Sequence, residues 1–149
     1  MSNRKPRGGA PVASSIDSPP AALAIFVVGA VRQWGKHHWP KAPLRWASLR
    51  EPHSHEFRIE ATIQVESADR ALAIEDLQAT IRVYFQRFIP QGVSALTPSS
   101  SLDLGTLSCE QIALQLFEFL TSHLPDASMQ VIRTRVYESI DAGAEVIGA

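Results

Sequence analysis

The most regular pattern in the chain is an alternation of apolar and polar residues between His53 and Val65. One set of alternate positions is apolar or aromatic apart from two histidines: His53, His55, Phe57, Ile59, Ala61, Ile63 and Val65. The positions between them are polar or charged: Ser54, Glu56, Arg58, Glu60, Thr62 and Gln64. Successive side chains of a β-strand point to opposite faces, so the pattern predicts an antiparallel strand over His53–Ser67 with one buried face.

Further elements are predicted on either side of this strand. The run before it, Leu23–Gln33, is apolar and rich in Val, Ile and Phe, which predicts a first strand. Between the two strands, Trp34–Pro52 contains three prolines and predicts a long loop. After the second strand, apolar residues recur at three- and four-residue spacing, which predicts a helix over Ile74–Phe88 that ends before Pro90.

The last third of the chain predicts a second helix and two short strands. Ser108 is a residue type that caps helices, and Gln111 stands three residues later, as in a capping box. The helix that they begin ends before Pro125, and strands are predicted over Met129–Tyr137 and Ala144–Ile147. The order β-β-α-α-β-β predicts an α+β fold, with both helices on one face of an antiparallel sheet.

The length of 149 residues suits one domain, which we expect over residues 21–149. Residues 1–20 are rich in Ser, Pro, Gly and Ala and predict a flexible tail. The apolar run 21–31 has a second interpretation as a secretory signal. However, no small-residue cleavage site follows it, and the run is too short to span a bilayer. A buried first strand is therefore the favoured interpretation.

Charge and cysteine content limit the classes of function. The formal net charge of -1 gives no indication of a nucleic-acid partner or of binding to an anionic membrane. Cys109 is the single cysteine, so no intramolecular disulfide can form. This favours a reducing compartment, and we expect a cytoplasmic protein.

His53 and His55 are the candidate chemistry of the predicted strand. Side chains two apart on a strand project in the same direction at a spacing of roughly 7 Å, so both imidazoles can reach one metal ion. Imidazole is the commonest metal ligand in proteins. The pattern alone leaves a second interpretation open, in which these are two ordinary, partly buried histidines.

Three local motifs resemble those of the 6-pyruvoyltetrahydropterin synthase and 6-carboxytetrahydropterin synthase family. The segment 53–57, His-Ser-His-Glu-Phe, resembles an H-G-H-N-Y motif. The segment 106–113 resembles the helix start N-P-T-A/S-E-N-L-A, with Glu110 at its glutamate, and Val-Tyr-Glu-Ser at 136–139 is similar to V-x-E-T. The motifs occur in the family's order, and the resemblance covers roughly residues 23 to 147.

The resemblance implies a tunnelling fold, in which subunits associate so that their sheets form a barrel and pterin-like substrates bind between them. A homo-oligomer is therefore expected, and closing the barrel would also cover exposed sheet edges. Glu138 and Glu110 are the implied substrate-binding residues. A carboxylate can accept two neighbouring N–H groups of a pterin at once, and such paired, charge-assisted bonds are strong and selective.

The resemblance also implies zinc, bound by three histidines. Two of them match His53 and His55. The third normally follows a phenylalanine on the first strand as F-x-x-x-H, but here Ala30 stands at that place. His37 or His38, in the predicted loop, is the expected substitute, because two protein ligands alone make a poor zinc site.

The positions of the family's catalytic residues are occupied by side chains that cannot transfer a proton. Its cysteine, four residues before the H-x-H pair, corresponds to Leu49, and its Asp-His pair corresponds to Ile89 and Pro90. Glu51, two residues before His53, is the candidate catalytic base, and a solvated loop glutamate is the alternative. Two functions follow: a zinc-assisted lyase of the pterin-synthase type, or a non-catalytic paralogue that keeps a binding or structural role.

Overall fold

The alternating stretch forms strand β2, His53–Val65, at the centre of the sheet. The structure is a computed structural model, and it describes Gly9, residues 23–93, Thr97 and residues 100–149. The predicted tail therefore lies outside the described residues, apart from Gly9. The predicted burial of one β2 face is confirmed, since its apolar positions from Phe57 to Val65 are at most 4% exposed.

In the described part of the chain, five strands form one sheet in the order β3-β1-β2-β4-β5. The strands other than β2 are β1 (Ile25–His37), β3 (Leu102–Asp103), β4 (Gln130–Tyr137) and β5 (Gly143–Ile147). Neighbouring strands run antiparallel except β1 and β3, which are parallel. The α+β fold class predicted from the element order is confirmed, with β3 as an additional strand.

Strand β1 is longer than the sequence predicted. It pairs with β2 along its whole length, from Ile25 opposite Val65 to His37 opposite His53. The glycine that suggested a loop, Gly35, lies inside the strand instead. A Cβ at this position would lie 3.0 Å from Leu104 and 3.3 Å from the ring of Phe57, so the glycine allows β1 to approach these core side chains closely. The predicted loop therefore begins only after His37, and it contains a 3-10 helix at Leu44–Arg50.

Two helices, α1 (Ile74–Phe85) and α2 (Cys109–His123), pack against the sheet. The α-helix ends at Phe85, three residues before the predicted end at Phe88, because the last turn, Gln86–Phe88, is a 3-10 helix. The predicted capping box of α2 is confirmed: Gln111 N–H donates to the Ser108 hydroxyl at 3.2 Å, and Ser108 N–H donates to the Gln111 side chain at 2.9 Å. Neither α-helix in the described residues is long and apolar enough to cross a bilayer.

The short strand β3 precedes α2 in the chain and pairs with the last residues of β1. Leu102 and Leu104 are buried, and the backbone N–H of Leu104 donates to the carbonyl of Lys36 at 2.9 Å. The next bond runs in the other direction, from His38 N–H to the carbonyl of Gly105 at 2.9 Å. No sequence pattern predicts β3, since two residues are too few for a periodicity. Its effect is to hold the segment before α2 against the histidine end of β1.

Candidate metal and ligand site

Three histidines meet at one end of the central strand pair. His37 is the last residue of β1 and lies opposite His53, the first residue of β2, and His55 follows two residues later on the same face. Their ring centroids are 4.8 Å, 5.0 Å and 5.4 Å apart. One nitrogen from each ring lies within 4.8 Å of the others, so the three side chains are close enough to share a metal ion.

Backbone carbonyls orient two of these rings. Nδ1–H of His37 donates to the carbonyl of Leu107 at 2.9 Å, and Nδ1–H of His53 donates to the carbonyl of Glu51 at 3.0 Å. A carbonyl oxygen can only accept, so each Nδ1 carries a hydrogen, and in the neutral form of each ring Nε2 is the nitrogen with the lone pair. This is the arrangement by which outer carbonyl partners fix metal-binding histidines in proteins.

His55 has the electrostatic environment of a neutral ligand. Burial lowers its pKa, the Glu138 carboxylate opposes that effect, and the neighbouring His37 and His53 reinforce it. The lowered pKa keeps the ring neutral at physiological pH. A neutral imidazole is the form that binds a metal.

The third histidine of the cluster, His37, lies on the first strand. The sequence left His37 and His38 open as substitutes in a loop, but His37 is a strand residue and belongs to the cluster. His38 lies next to it and lines the adjoining pocket without belonging to the cluster. The signal that could have found His37 is the alternation of β1, because Val31, Gln33 and His37 lie on its buried face.

A pocket of about 660 Å³ adjoins the histidine cluster. Its walls come from the ends of β1 and β2, the start of α2, and the turn between β4 and β5. Glu110 and Glu138, the two predicted substrate-binding residues, both line it. Leu49, at the position that the resemblance gives to a catalytic cysteine, lines it too. The side chain of Glu51 is exposed, and its backbone carbonyl is the group that bonds to the cluster.

The Glu138 carboxylate faces the cluster directly. Its Oε2 lies 3.5 Å from Nε2 of His37 and 3.8 Å from Nε2 of His55. The thiol of Cys109 donates to the same oxygen at 3.8 Å. Burial, then the charges of Glu138 and Glu110, raises the pKa of Cys109 to about 12, so the thiol keeps its proton. The sequence motifs point to Glu138 and Glu110 but carry no signal for these contacts.

The architecture is that of an α+β protein, a five-stranded sheet in the described residues with two helices packed against it. Among solved structures, an uncharacterized protein from Wolinella succinogenes matches 86% of this chain and 100% of its own, with a TM-score of 0.61 and 14% identity. The 6-pyruvoyl tetrahydropterin synthase of Caenorhabditis elegans matches 89% of this chain and 99% of its own, with a TM-score of 0.54 and 14% identity. No family profile and no curated protein matches the sequence. The resemblance found in the motifs is thus confirmed at the level of the fold.

Proposed function

We propose that this chain binds zinc through His37, His53 and His55 and binds a pterin-like ligand in the adjoining pocket. The observation that carries the proposal is the convergence of three imidazoles at the wall of a pocket that also contains two acidic side chains. Three histidines are a familiar donor set for zinc, and the carbonyl partners of His37 and His53 suit ligands of this kind. A zinc ion bound there would polarise oxygen atoms on the ligand's side chain.

The ligand class follows from the chemistry of the pocket walls. A pterin head presents a ring N–H and an amino group side by side, and a carboxylate accepts both. Glu110 and Glu138 are the carboxylates available on the walls. Trp39, half exposed on the same wall, adds a flat apolar surface of the kind that aromatic ligands contact.

A second candidate function is binding without catalysis. It is favoured by Leu49, which brings an apolar side chain to the pocket where the resemblance implies a cysteine. If the chain is an enzyme, it is a carbon–oxygen or carbon–carbon lyase, and Glu51 is the proposed base. Turnover of a dihydropterin substrate that Glu51→Gln abolishes would favour the lyase, whereas tight binding with no turnover would favour the paralogue.

We also propose that the chain forms a homo-oligomer in the cytoplasm. Within the described residues, β3 pairs with β1 only at Gly35 and Lys36, so the backbone of β1 from Ile25 to Trp34 borders the sheet. The other border is β5. Pairing of such borders between subunits would satisfy their backbone groups and close a barrel. The cytoplasmic location rests on the single, buried cysteine.

The metal proposal is tested by elemental analysis after purification without chelators. We expect about one zinc per chain in the parent, in line with one three-histidine site. His37→Ala should lose the metal. His38→Ala is the matched control, because His38 lines the pocket but lies outside the cluster, and it should keep the metal. Equal zinc content in the two variants would refute the site.

The ligand proposal is tested by calorimetry with neopterin as the probe. The parent should bind neopterin, and Glu110→Ala together with Glu138→Ala should weaken binding. A hydrogen bond to a charged group contributes about 1.5–3 kcal/mol, so the loss should be roughly ten- to hundredfold for each carboxylate that contacts the ligand. An absence of binding to the parent, with zinc present, would leave a metal site without a pterin function.

A further inference from the structure

The distances around Glu138 fit coordination to a shared metal better than direct hydrogen bonds. A hydrogen bond between nitrogen and oxygen spans about 2.7–3.2 Å. Oε2 of Glu138 is farther than that from both imidazoles, at 3.5 Å from His37 and 3.8 Å from His55. In a tetrahedral zinc site with bonds of about 2.0–2.1 Å, neighbouring ligand atoms are about 3.3 Å apart. The separations from His37 and His55 are slightly longer than that value, and among the described residues Glu138 forms no ion pair with His53. A small movement of the carboxylate toward His53 would therefore complete the set.

We propose that Glu138 is the fourth protein ligand of the metal held by His37, His53 and His55. The resemblance implies only that Glu138 recognises the pterin head. Coordination of the metal would be a second role of the same carboxylate. Carboxylate oxygen is an ordinary zinc ligand, and three histidines with one carboxylate complete a tetrahedral set. This inference rests on the proposed metal site.

The backbone around Glu138 holds the carboxylate at this place. Glu138 directly follows β4, and its N–H donates to the carbonyl of Ala142 at 3.0 Å across the turn to β5. Tyr137 pairs with Gly143 at the base of this turn. A Cβ at Gly143 would overlap the carbonyl oxygen of Val136, so the strands approach closely only with glycine there. The turn is thus tightly constrained immediately beside Glu138.

The thiol of Cys109 supports the same orientation from the side of α2. It donates to Oε2, the oxygen that faces the histidines. Cys109 is buried in the first turn of α2, whose start the capping box fixes. The carboxylate is therefore positioned from two elements, β4 and α2, with one oxygen directed at the cluster.

Coordination by Glu138 has a consequence for the pocket. Zinc with four protein ligands is closed, as in structural sites, whereas catalytic zinc keeps one position open. A ligand head group that takes both oxygens of Glu138 must first detach the carboxylate from the metal. With the metal bound by all four residues, the ligand-free chain would hold a closed site, and binding of the head group to Glu138 would open one coordination position.

The test measures zinc and cobalt binding to the parent, Glu138→Gln and Glu110→Gln. Glu110→Gln is the matched control, since this carboxylate lines the same pocket but, within the part of the chain that the structure describes, forms no ion pair with the three histidines. We expect Glu138→Gln to weaken zinc binding by at least roughly 10–100-fold, the loss typical for supporting partners of a metal ligand. Glu110→Gln should bind zinc as the parent does.

The cobalt spectrum separates a ligand from a residue that acts only through its charge. In the parent, added azide should leave the visible absorption of bound cobalt unchanged, because four protein ligands occupy all of its coordination positions. In Glu138→Gln, azide should occupy the freed position and change the visible absorption, whereas Glu110→Gln should behave like the parent. Glu138→Asp keeps the charge but is one methylene shorter, and it should also bind zinc more weakly.

Several results would overturn the inference. Unchanged zinc affinity in Glu138→Gln, or an equal response to azide in all variants, would show that Glu138 is not a ligand. A thiolate-to-cobalt charge-transfer band in the parent that is lost in Cys109→Ser would show that Cys109, and not Glu138, is the fourth metal ligand. If the parent binds no metal, the proposed function fails as well; if the parent and Glu138→Gln bind metal equally, only this inference fails. Circular dichroism of the metal-free variants checks that each is folded.

Discussion

His37 has a structural role and a proposed chemical role, one for each ring nitrogen. Nδ1–H is bonded to the Leu107 carbonyl, which ties the end of β1 to the segment before α2. Nε2 is left facing Glu138 and the other imidazoles. The ring also packs edge-on against Phe57, with centroids 5.3 Å apart, so the core fixes its position. A ligand held in this way is preorganised, and little side-chain freedom remains to be lost when a metal binds.

Cys109 offers a prediction at the same scale. Cys109 is 7% exposed, and the pKa of its thiol is raised to about 12, so the thiolate, which is the reactive form, is scarce at neutral pH. In the metal-free, folded chain we expect alkylation by iodoacetamide at about pH 8.5 to be far slower than for a free thiol, whose pKa is about 8.5. Mass spectrometry follows the rate, and the urea-unfolded chain is the control. Equally fast labelling of folded and unfolded chains would contradict the environment described.

At the scale of elements, the β1–β2 pair supports both the core and the site. The two strands are paired over thirteen residues each, and the same register that buries Ile59 places His37 opposite His53. A shift of the pairing register by one residue would move all the apolar side chains of β2 to the solvent-exposed face. The histidine cluster therefore depends on the register of the apolar core.

A substitution on each face of β2 tests this register. Ile59 is fully buried, and Ile59→Asp would place an unpaired carboxylate in the core, at a cost of several kcal/mol. We expect the variant to be unfolded or to melt far below the parent in a thermal scan. Gln64→Asp adds the same carboxylate to the partly exposed polar face and should change stability little. A normally melting Ile59→Asp chain would contradict the register.

At the scale of the whole molecule, the pocket is assembled from segments that are far apart in sequence. The ends of β1 and β2, the start of α2 and the turn between β4 and β5 all meet at one end of the sheet. The proposed recognition groups and the proposed metal ligands thus come from different parts of the chain. They are brought together only when the sheet and α2 have formed.

The assembly prediction also belongs to this scale. Because the borders of the sheet at β1 and β5 offer backbone groups for pairing, we expect a stable homo-oligomer at micromolar concentration. Light scattering coupled to size-exclusion chromatography measures the mass directly. A monomer of 16.3 kDa would contradict the oligomer and with it a binding site shared between subunits.

The sequence by itself determined the strands and helices with strong periodicity. Alternation identified β2 and its buried face, three- and four-residue spacing identified α1, and the Ser108 capping box set the start of α2. Local motifs also singled out His53, His55 and Glu138, and these three side chains lie at the same end of the sheet. These features depend on residues that are close together in the chain, where pattern and capping chemistry operate.

Only the tertiary structure decided which groups meet. His37 joins the cluster because β1 pairs with β2 as far as its last residue, although Gly35 made that end of the strand resemble a loop. Glu138 faces the imidazoles because the turn after β4 returns to the same end of the sheet. The alternation of β1 carries a local signal for His37, but strand pairing and the turn after β4 join residues that are far apart in the chain. Which imidazoles meet, and where the Glu138 carboxylate lies, was therefore decided only in the folded chain.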